Sequence, residues 1–334
     1  MASDTFRSIT IEGFRSIRSI RELYLRPINI LIGANGSGKS NFLEAFHFLS
    51  EIEEGRKDLY VAQNGGAEKL LFFGSRTTQK IYVLLEASNG HNLTASNVFT
   101  GNDELAGVLT WGGLELNGPS FVRYQFHDTG LHSSIKKTNQ VDDNRFLRAD
   151  AGNLAAFLYR LKRQFPGSYE LIRKTIQQAA PFFDDFELAP LALNPNTIKI
   201  EWRHAGSDGY FDVSSLSDGT LRFMALATLF LQPIELRPSA ILIDEPELGL
   251  HPFAIGLLGS MIREASQETQ VIAATQSPLL LDYFGPEDIL VADRVNGATE
   301  IQRRDREGLR GWLDDYSLGQ LWEKGELAGR PVKE

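Results

Sequence analysis

Residues 28–52 read INILIGANGSGKSNFLEAFHFLSEI: a short apolar run, a glycine-rich loop, then apolar residues at helical spacing. The run INILI has the length and composition of a buried strand. Phe42, Ala45, Phe46 and Leu49 recur on one face of a helix. Between them, Gly33–Ser40 matches the pattern G-x-x-x-x-G-K-[ST] at every fixed position. Strand, glycine loop and helix in this order form the context in which such a loop cradles phosphates. Gly33, Gly36 and Gly38 let the backbone N–H groups of Asn35, Ser37 and their neighbours wrap an anion. The following helix, from Lys39 through Asn41, points its positive N-terminus at that anion. Lys39 is expected to reach the β- and γ-phosphates of ATP, and the Ser40 hydroxyl to bind Mg²⁺.

A second phosphate-related element lies far along the chain. AILIDEP, residues 240–246, is an apolar strand that ends in two carboxylates. With a phosphate loop present, Asp244 is expected to hold Mg²⁺ and Glu245 to polarise an attacking water as general base. Ahead of it, LSDGT (residues 216–220) opens the apolar helix TLRFMALATLFL. Ser217, the N–H groups near Gly219 and a helix N-terminus together can hold a phosphate. The same residues also read as an ordinary Ser/Asp helix cap. QVIAATQSP (residues 270–278) is a further strand, and it places Gln276 just beyond the strand end. A Gln amide can donate to phosphate or orient water but carries no charge.

Composition narrows the classes. The chain has 334 residues, 42% of them hydrophobic, enough for a sizeable core. With no Cys, disulfides, thiolate metal sites and Cys nucleophiles are excluded, in keeping with a cytoplasmic protein. MASDTFRSITIEGF carries no apolar run of signal-peptide type, and nothing has the length of a membrane span, so no membrane partner is expected. The formal net charge of −9 does not point to nucleic acid. Two local basic patches, at Arg15, Arg18 and Arg21 and at Arg303, Arg304 and Arg306, read as solvated faces.

The pattern of elements predicts an α/β protein that is discontinuous in sequence. Residues 1–60 and 205–334 form the P-loop ATPase head, with 61–204 inserted as a β-rich lobe (about 61–135) and a helical lobe (about 140–204). FELAPLAL, NPNT and IKIEWRHA read as one hairpin, and DILVADRV with TEIQRRD as another. GVLTWGGLEL reads as a strand, and the tail from Gly308 as a helix with a docked end. There is no internal repeat and no heptad run of coiled-coil length.

Taken together, the loop GANGSGKS, the strand AILIDE, the segment PELGLHP and the element LSDGT resemble the RecF/SMC/OLD-type AAA ATPases. These have an ABC-type head, and the resemblance is to the short "predicted ATPase" group without coiled coil. It covers residues 5–50 and 210–285 well and the middle weakly. The LSDGT loop is similar to the ABC signature, usually L-S-G-G-Q. The resemblance implies ATP and Mg²⁺ sandwiched between two subunits, each phosphate loop facing the partner's Ser217 and Gly219. It implies that PELGLHP runs along the dimer seam, with His251 as a helix cap or a contact to the partner's site. It also implies a role for Gly13-Phe14-Arg15-Ser16, whose Arg15 would contact phosphate or base. The position of Gln276 normally holds His in such heads, which puts hydrolysis rate in question. Gln125 and Gln63 are the candidates for the Q-loop glutamine.

Members of the group often stand in antiphage or toxin–antitoxin-like operons beside a nuclease or other effector. The implied function is an ATP-gated homodimer or higher oligomer that controls a partner effector such as a nuclease or toxin. The alternatives are a RecF-like repair ATPase acting on DNA directly, a near-inactive ATP-binding scaffold, and a transporter subunit. Lys39 and Ser217 are too widely separated for the last.

Overall fold

The computed structural model describes residues 5–327 except 89, 91, 101, 102, 112–120 and 131. The predicted strand GVLTWGGLEL therefore lies partly outside the described residues, as does the end of the tail. Along the chain run β1 (Phe6–Phe14), β2 (Ile17–Tyr24), β3 (Ile28–Ile32), α1 (Lys39–Glu53) and α2 (Lys57–Gln63). Then come β4 (Lys80–Ala87), β5 (Asn92–Phe99), β6 (Leu105–Trp111), β7 (Phe121–Tyr124), β8 (Asn139–Gln140), α3 (Leu154–Gln164) and α4 (Pro166–Ala179). β9 (Phe183–Glu187), β10 (Thr197–Ile198), β11 (Glu201–His204), β12 (Tyr210–Asp212) and α5 (Asp218–Leu231) follow. Last are β13 (Ala240–Asp244), α6 (Pro252–Ala265), β14 (Gln270–Ala274), α7 (Pro278–Leu281), β15 (Ile289–Val295), β16 (Ala298–Arg303) and α8 (Leu318–Lys324).

Two compact units result. The first comprises residues up to Arg123, Ser239–Asp244 and those from Thr269 onward; the second comprises Tyr124–Pro238 and Glu245–Glu268. The first unit holds two sheets. One is antiparallel, in the order β2-β1-β4-β5-β6. The other has the order β16-β15-β3-β14-β13-β7, with β15, β3, β14 and β13 parallel. The parallel strands read as continuous apolar runs because both their faces are covered.

Helix α1 buries Phe42, Leu43, Ala45, Phe46, Phe48 and Leu49 in a cluster that takes side chains from both sheets. Phe121 of β7 joins it, with ring centroids 5.7 Å from Phe6 and 6.0 Å from Phe46. Each such ring contributes roughly 1.5–3 kcal/mol through burial. Gln270, 1% exposed, fastens β14 to the antiparallel sheet. Its amide nitrogen donates to Phe6 O (2.9 Å) and Arg26 O (3.0 Å), and its oxygen accepts from Phe6 N (3.2 Å).

The sequence division at residue 61 does not coincide with these units. Alternation marked residues 80–99 as strands but could not name their partner. β4 pairs along the length of β1, so the β-rich stretch continues the sheet that opens the chain. Within the second basic patch Arg306 is exposed as read, but Arg303 is not a solvated residue. Its guanidinium donates to Glu287 O, Tyr24 O and Asn29 Oδ1, and burial pushes its pKa down to about 10.

In the second unit, α5 is buried from Leu221 to Leu231, Arg222 and Thr228 included, and packs against α4 and α6. β9, β11 and β12 form a three-stranded sheet, and β8 pairs with β10. The single hairpin expected from residues 186–205 is thus divided. Only Phe186–Glu187 faces Glu201–Trp202, and Thr197–Ile198 pairs with β8 instead. Pro190 supplies no N–H for a ladder, which ends β9 early. The closing hairpin of β15 and β16 forms as read, across Asn296-Gly297 with φ of 50° and 73°. A two-residue turn with both central φ positive matches the strand twist.

Candidate functional site

The phosphate loop joins β3 to α1. Gly36 and Gly38 sit at φ of 79° and 102°, in the left-handed region that only glycine enters freely. Gly38 also has no room for a side chain, since a Cβ there would stand 2.0 Å from Thr299 Oγ1. Lys39 is 6% exposed and its ammonium donates back to Gly33 O (2.7 Å) and Ala34 O (3.0 Å). Ser40 and Asn35 are exposed at the loop mouth, and Asn41 is half-buried. The Ser37 hydroxyl is buried and, among the described residues, has no hydrogen-bond partner. An orphaned hydroxyl in a glycine-rich loop at a helix N-terminus suits an anion.

The loop is held from behind by residues distant in sequence. Thr299 Oγ1 donates to Ser37 O at 2.8 Å and lies 2.8 Å from Ser16 Oγ. Asn41 Nδ2 donates to Ser16 Oγ at 2.7 Å, and Arg294 to Gly36 O at 3.3 Å. Ser16 belongs to the Phe14-Arg15-Ser16 element, in which the sequence pointed to Arg15 alone. Thr299 and Arg294 carried no signal.

Asp244 ends β13. One strand, β14, separates β13 from β3, so their axes lie two strand spacings or about 10 Å apart. Ser40 follows β3 and Asp244 ends β13, so both stand at the C-terminal ends of the parallel strands. Among the described residues no group of three or more His, Cys, Asp or Glu side chains gathers to hold a metal. A cation here would draw its remaining oxygens from phosphate and water, as Mg²⁺ commonly does.

Behind Asp244 lies a buried ionic group. Arg123 of β7, with an 11% exposed side chain, sits 3.6 Å from Asp244 Oδ2 and bonds Glu44 of α1. Glu44 also accepts from Tyr60 Oη at 2.7 Å and lies 3.7 Å from Arg15. Arg15, at φ 49°, donates to Asn64 Oδ1 as well. Burial beside the Glu44 carboxylate holds the Tyr60 hydroxyl far above its ordinary range. Arg15 is thus brought next to the loop through Ser16, while its guanidinium is engaged by Glu44 and Asn64. Gln125 follows β7 directly, next to β13 in the sheet order, and its N–H donates to Ala149 O at 2.8 Å. Gln63 is the exposed last residue of α2. Gln276 lies two residues beyond β14 and is half-buried.

The second unit carries the LSDGT loop. Ser217 caps α5: its hydroxyl accepts from Thr220 N at 3.1 Å. The cap is therefore formed as the second reading of these residues has it. Glu245 begins the loop after β13 at φ 44°, strained for a residue with a side chain. That loop returns beneath α5, where Arg222, 6% exposed, donates to Leu248 O, to Phe126 O (2.9 Å) and to His127 O (3.2 Å). Desolvation holds its pKa below the ordinary arginine value. His251 caps α6, accepting from Phe253 N at 3.2 Å. Ser217, Gly219, Thr220 and His251 share a pocket of about 140 Å³. A Cβ on Gly219 would stand 2.3 Å from Gly249 O. Gly219→Ala is expected to lower stability by about 1–3 kcal/mol, the range for overpacking, measured by urea denaturation.

A family model described as "AAA domain, putative AbiEii toxin, Type IV TA system" matches residues 28–100 and 121–282. The DNA replication and repair protein RecF of Acinetobacter baylyi is 36% identical over 76 residues, 22% of this chain and 21% of RecF. The match therefore spans about a fifth of that relative's length. The Septu protein PtuA of Bacillus thuringiensis is 22% identical over 93% of this chain and 82% of its own. Among solved structures, an SMC head bound to the C-winged helix domain of ScpA aligns with TM-score 0.67 and 16% identity. It covers 89% of this chain and 97% of that one. A Pyrococcus furiosus SMC head with an extended coiled coil, bound to the C-terminal domain of ScpA, aligns at TM-score 0.65 and 15% identity. Coverage is 93% and 99%. The fold is that of an ABC-type P-loop head.

Proposed function

The chain belongs to this AAA-domain family, of the RecF/SMC-like ABC type, and from that premise we propose that it is an ATP-gated dimer that regulates an effector protein. One observation supports the proposal: a glycine-framed loop at the start of α1 whose Ser37 hydroxyl is buried and, among the described residues, has no hydrogen-bond partner, two strand spacings from Asp244. In this reading Gly33–Asn41 hold the triphosphate, with Lys39 exchanging its two carbonyl partners for phosphate oxygens. Ser40 and Asp244 hold Mg²⁺, which neutralises phosphate charge when bound. Glu245 accepts a proton from the attacking water, and Gln276 orients it. Ser217 and Gly219 of a second copy close over the phosphates.

An effector partner and a place in antiphage defence are supported by the end-to-end similarity to PtuA and by the family's toxin–antitoxin description. The net charge of −9 favours a protein partner over direct DNA contact. No helix among the described residues is long and apolar enough to cross a membrane. A second reading, slow turnover in a largely static scaffold, draws on Gln276 alone, because an amide cannot carry charge to the γ-phosphate.

Light scattering after size exclusion tests the gate. Mg-ATP is expected to double the mass of the protein transiently, and Glu245→Gln to hold the larger species. A mass indifferent to ATP in both proteins overturns the gated dimer.

A further inference from the structure

Beside the phosphate loop lies a pocket of about 290 Å³ whose walls include Arg15, Lys69, Phe72, Phe73, Arg294 and Gly297. Its volume is at the small end of ligand pockets, enough for a nucleobase with part of its sugar. Ser16 and Asn41 also line it, and these two side chains bond each other at the start of α1. Arg294, on another wall, donates to Gly36 O of the loop. The pocket therefore opens where the part of a nucleotide beyond its phosphates would emerge.

Phe73 is the unusual member. Its neighbour Phe72 is buried, but Phe73 is 59% exposed and sits at φ 52°. An aromatic residue gains by burial and avoids the left-handed region, and here it does neither. The position is fixed from several sides. Arg15 N donates to Leu70 O (2.8 Å) and Phe72 N to Gly13 O (3.0 Å), which tie residues 70–72 to the end of β1. The Phe73 ring stands at 4.6 Å from that of Phe72, edge to face. It rests on Gly297, where a Cβ would come within 2.8 Å of Cζ. Strain held in place by surrounding structure is a mark of functional sites.

We propose that Phe73 is the stacking platform for the purine base of the nucleotide, with Arg15 and Lys69 as the polar rim of the same subsite. The inference rests on the reading of Gly33–Asn41 as a triphosphate cradle. Every nucleobase has a π-face, and the larger purine covers more of a phenyl ring than a pyrimidine does.

Calorimetric titration of the full-length protein with ATP, CTP and inorganic tripolyphosphate separates the two readings. The wild type is expected to prefer ATP over CTP, and both over tripolyphosphate. Phe73→Ala should weaken ATP about tenfold, within the range found for loss of one aromatic–base stack. It should leave tripolyphosphate unchanged, and Phe73→Trp should restore ATP affinity. Unaltered ATP affinity in Phe73→Ala overturns the platform, as does an equal loss for ATP and tripolyphosphate, which would mark a structural role. Equal affinity of the wild type for ATP and tripolyphosphate overturns it too, with the cradle intact. If the wild type binds neither, the cradle itself is wrong and the platform falls with it.

Discussion

Glu245→Gln is expected to lower ATP turnover about 100- to 10,000-fold, the usual contribution of a general base, with ATP affinity changed little. The substitution keeps size and hydrogen-bonding capacity but removes the acceptor for a proton. It also keeps the strained backbone, because Gln meets the same conflict at φ 44° that Glu does. A loss of rate is thus assignable to the carboxylate rather than to a relaxed loop. Phosphate release under saturating Mg-ATP measures the rate, and calorimetry the affinity. Turnover within a few-fold of the wild type would remove Glu245 from the role and leave the carboxylate a structural part of its loop. A wild type that releases no phosphate at all would favour the scaffold reading.

Arg123→Met is expected to destabilise the protein by about 3 kcal/mol, the lower end of the range for breaking a buried ion pair. The substitution leaves the Glu44 carboxylate, 13% exposed, without its bonded guanidinium, and takes the cation from beside Asp244. The lower end applies because Tyr60 Oη and Arg15 remain near Glu44. Urea denaturation reads the loss. Adding Glu44→Gln should return part of it, since a neutral amide no longer needs a buried counter-charge and still accepts from Tyr60. A cost below about 1 kcal/mol, or strict additivity in the double variant, would show that the pair contributes little.

These residues also show what the sequence could and could not reveal. The phosphate loop was legible because its chemistry is local: three glycines, a lysine and two hydroxyls within eight positions. AILID and the α5 cap were legible for the same reason. Thr299 was not, because it meets Ser37 across 262 residues and Ser16 across 283, and no periodicity marks such a meeting. Arg123 lies in a four-residue strand whose two ends, Phe121 and Tyr124, are buried, too short a run for alternation to mark the residue beside Asp244. Arg15 was singled out, but its engagement by Glu44 depends on where α1 packs. Phe72 and Phe73 are chemically identical neighbours in an apolar run, and only the turn that buries one and exposes the other tells them apart. The partner of β4 was beyond reach for a related reason: alternation fixes the face of a strand, and pairing is settled by distant register.

Gln270 bears on how this protein comes apart. Its single amide serves three backbone groups, the N–H and C=O of Phe6 on β1 and the C=O of Arg26 in the link between β2 and β3, from a position at the start of β14. The antiparallel sheet cannot fray at that edge without stranding a buried polar group in the parallel one, at a cost of about 1–3 kcal/mol. Partial melting of either sheet is thereby discouraged, so the first unit should behave as a single cooperative foldon, with the strand that leads into the phosphate loop as hard to open as the core itself.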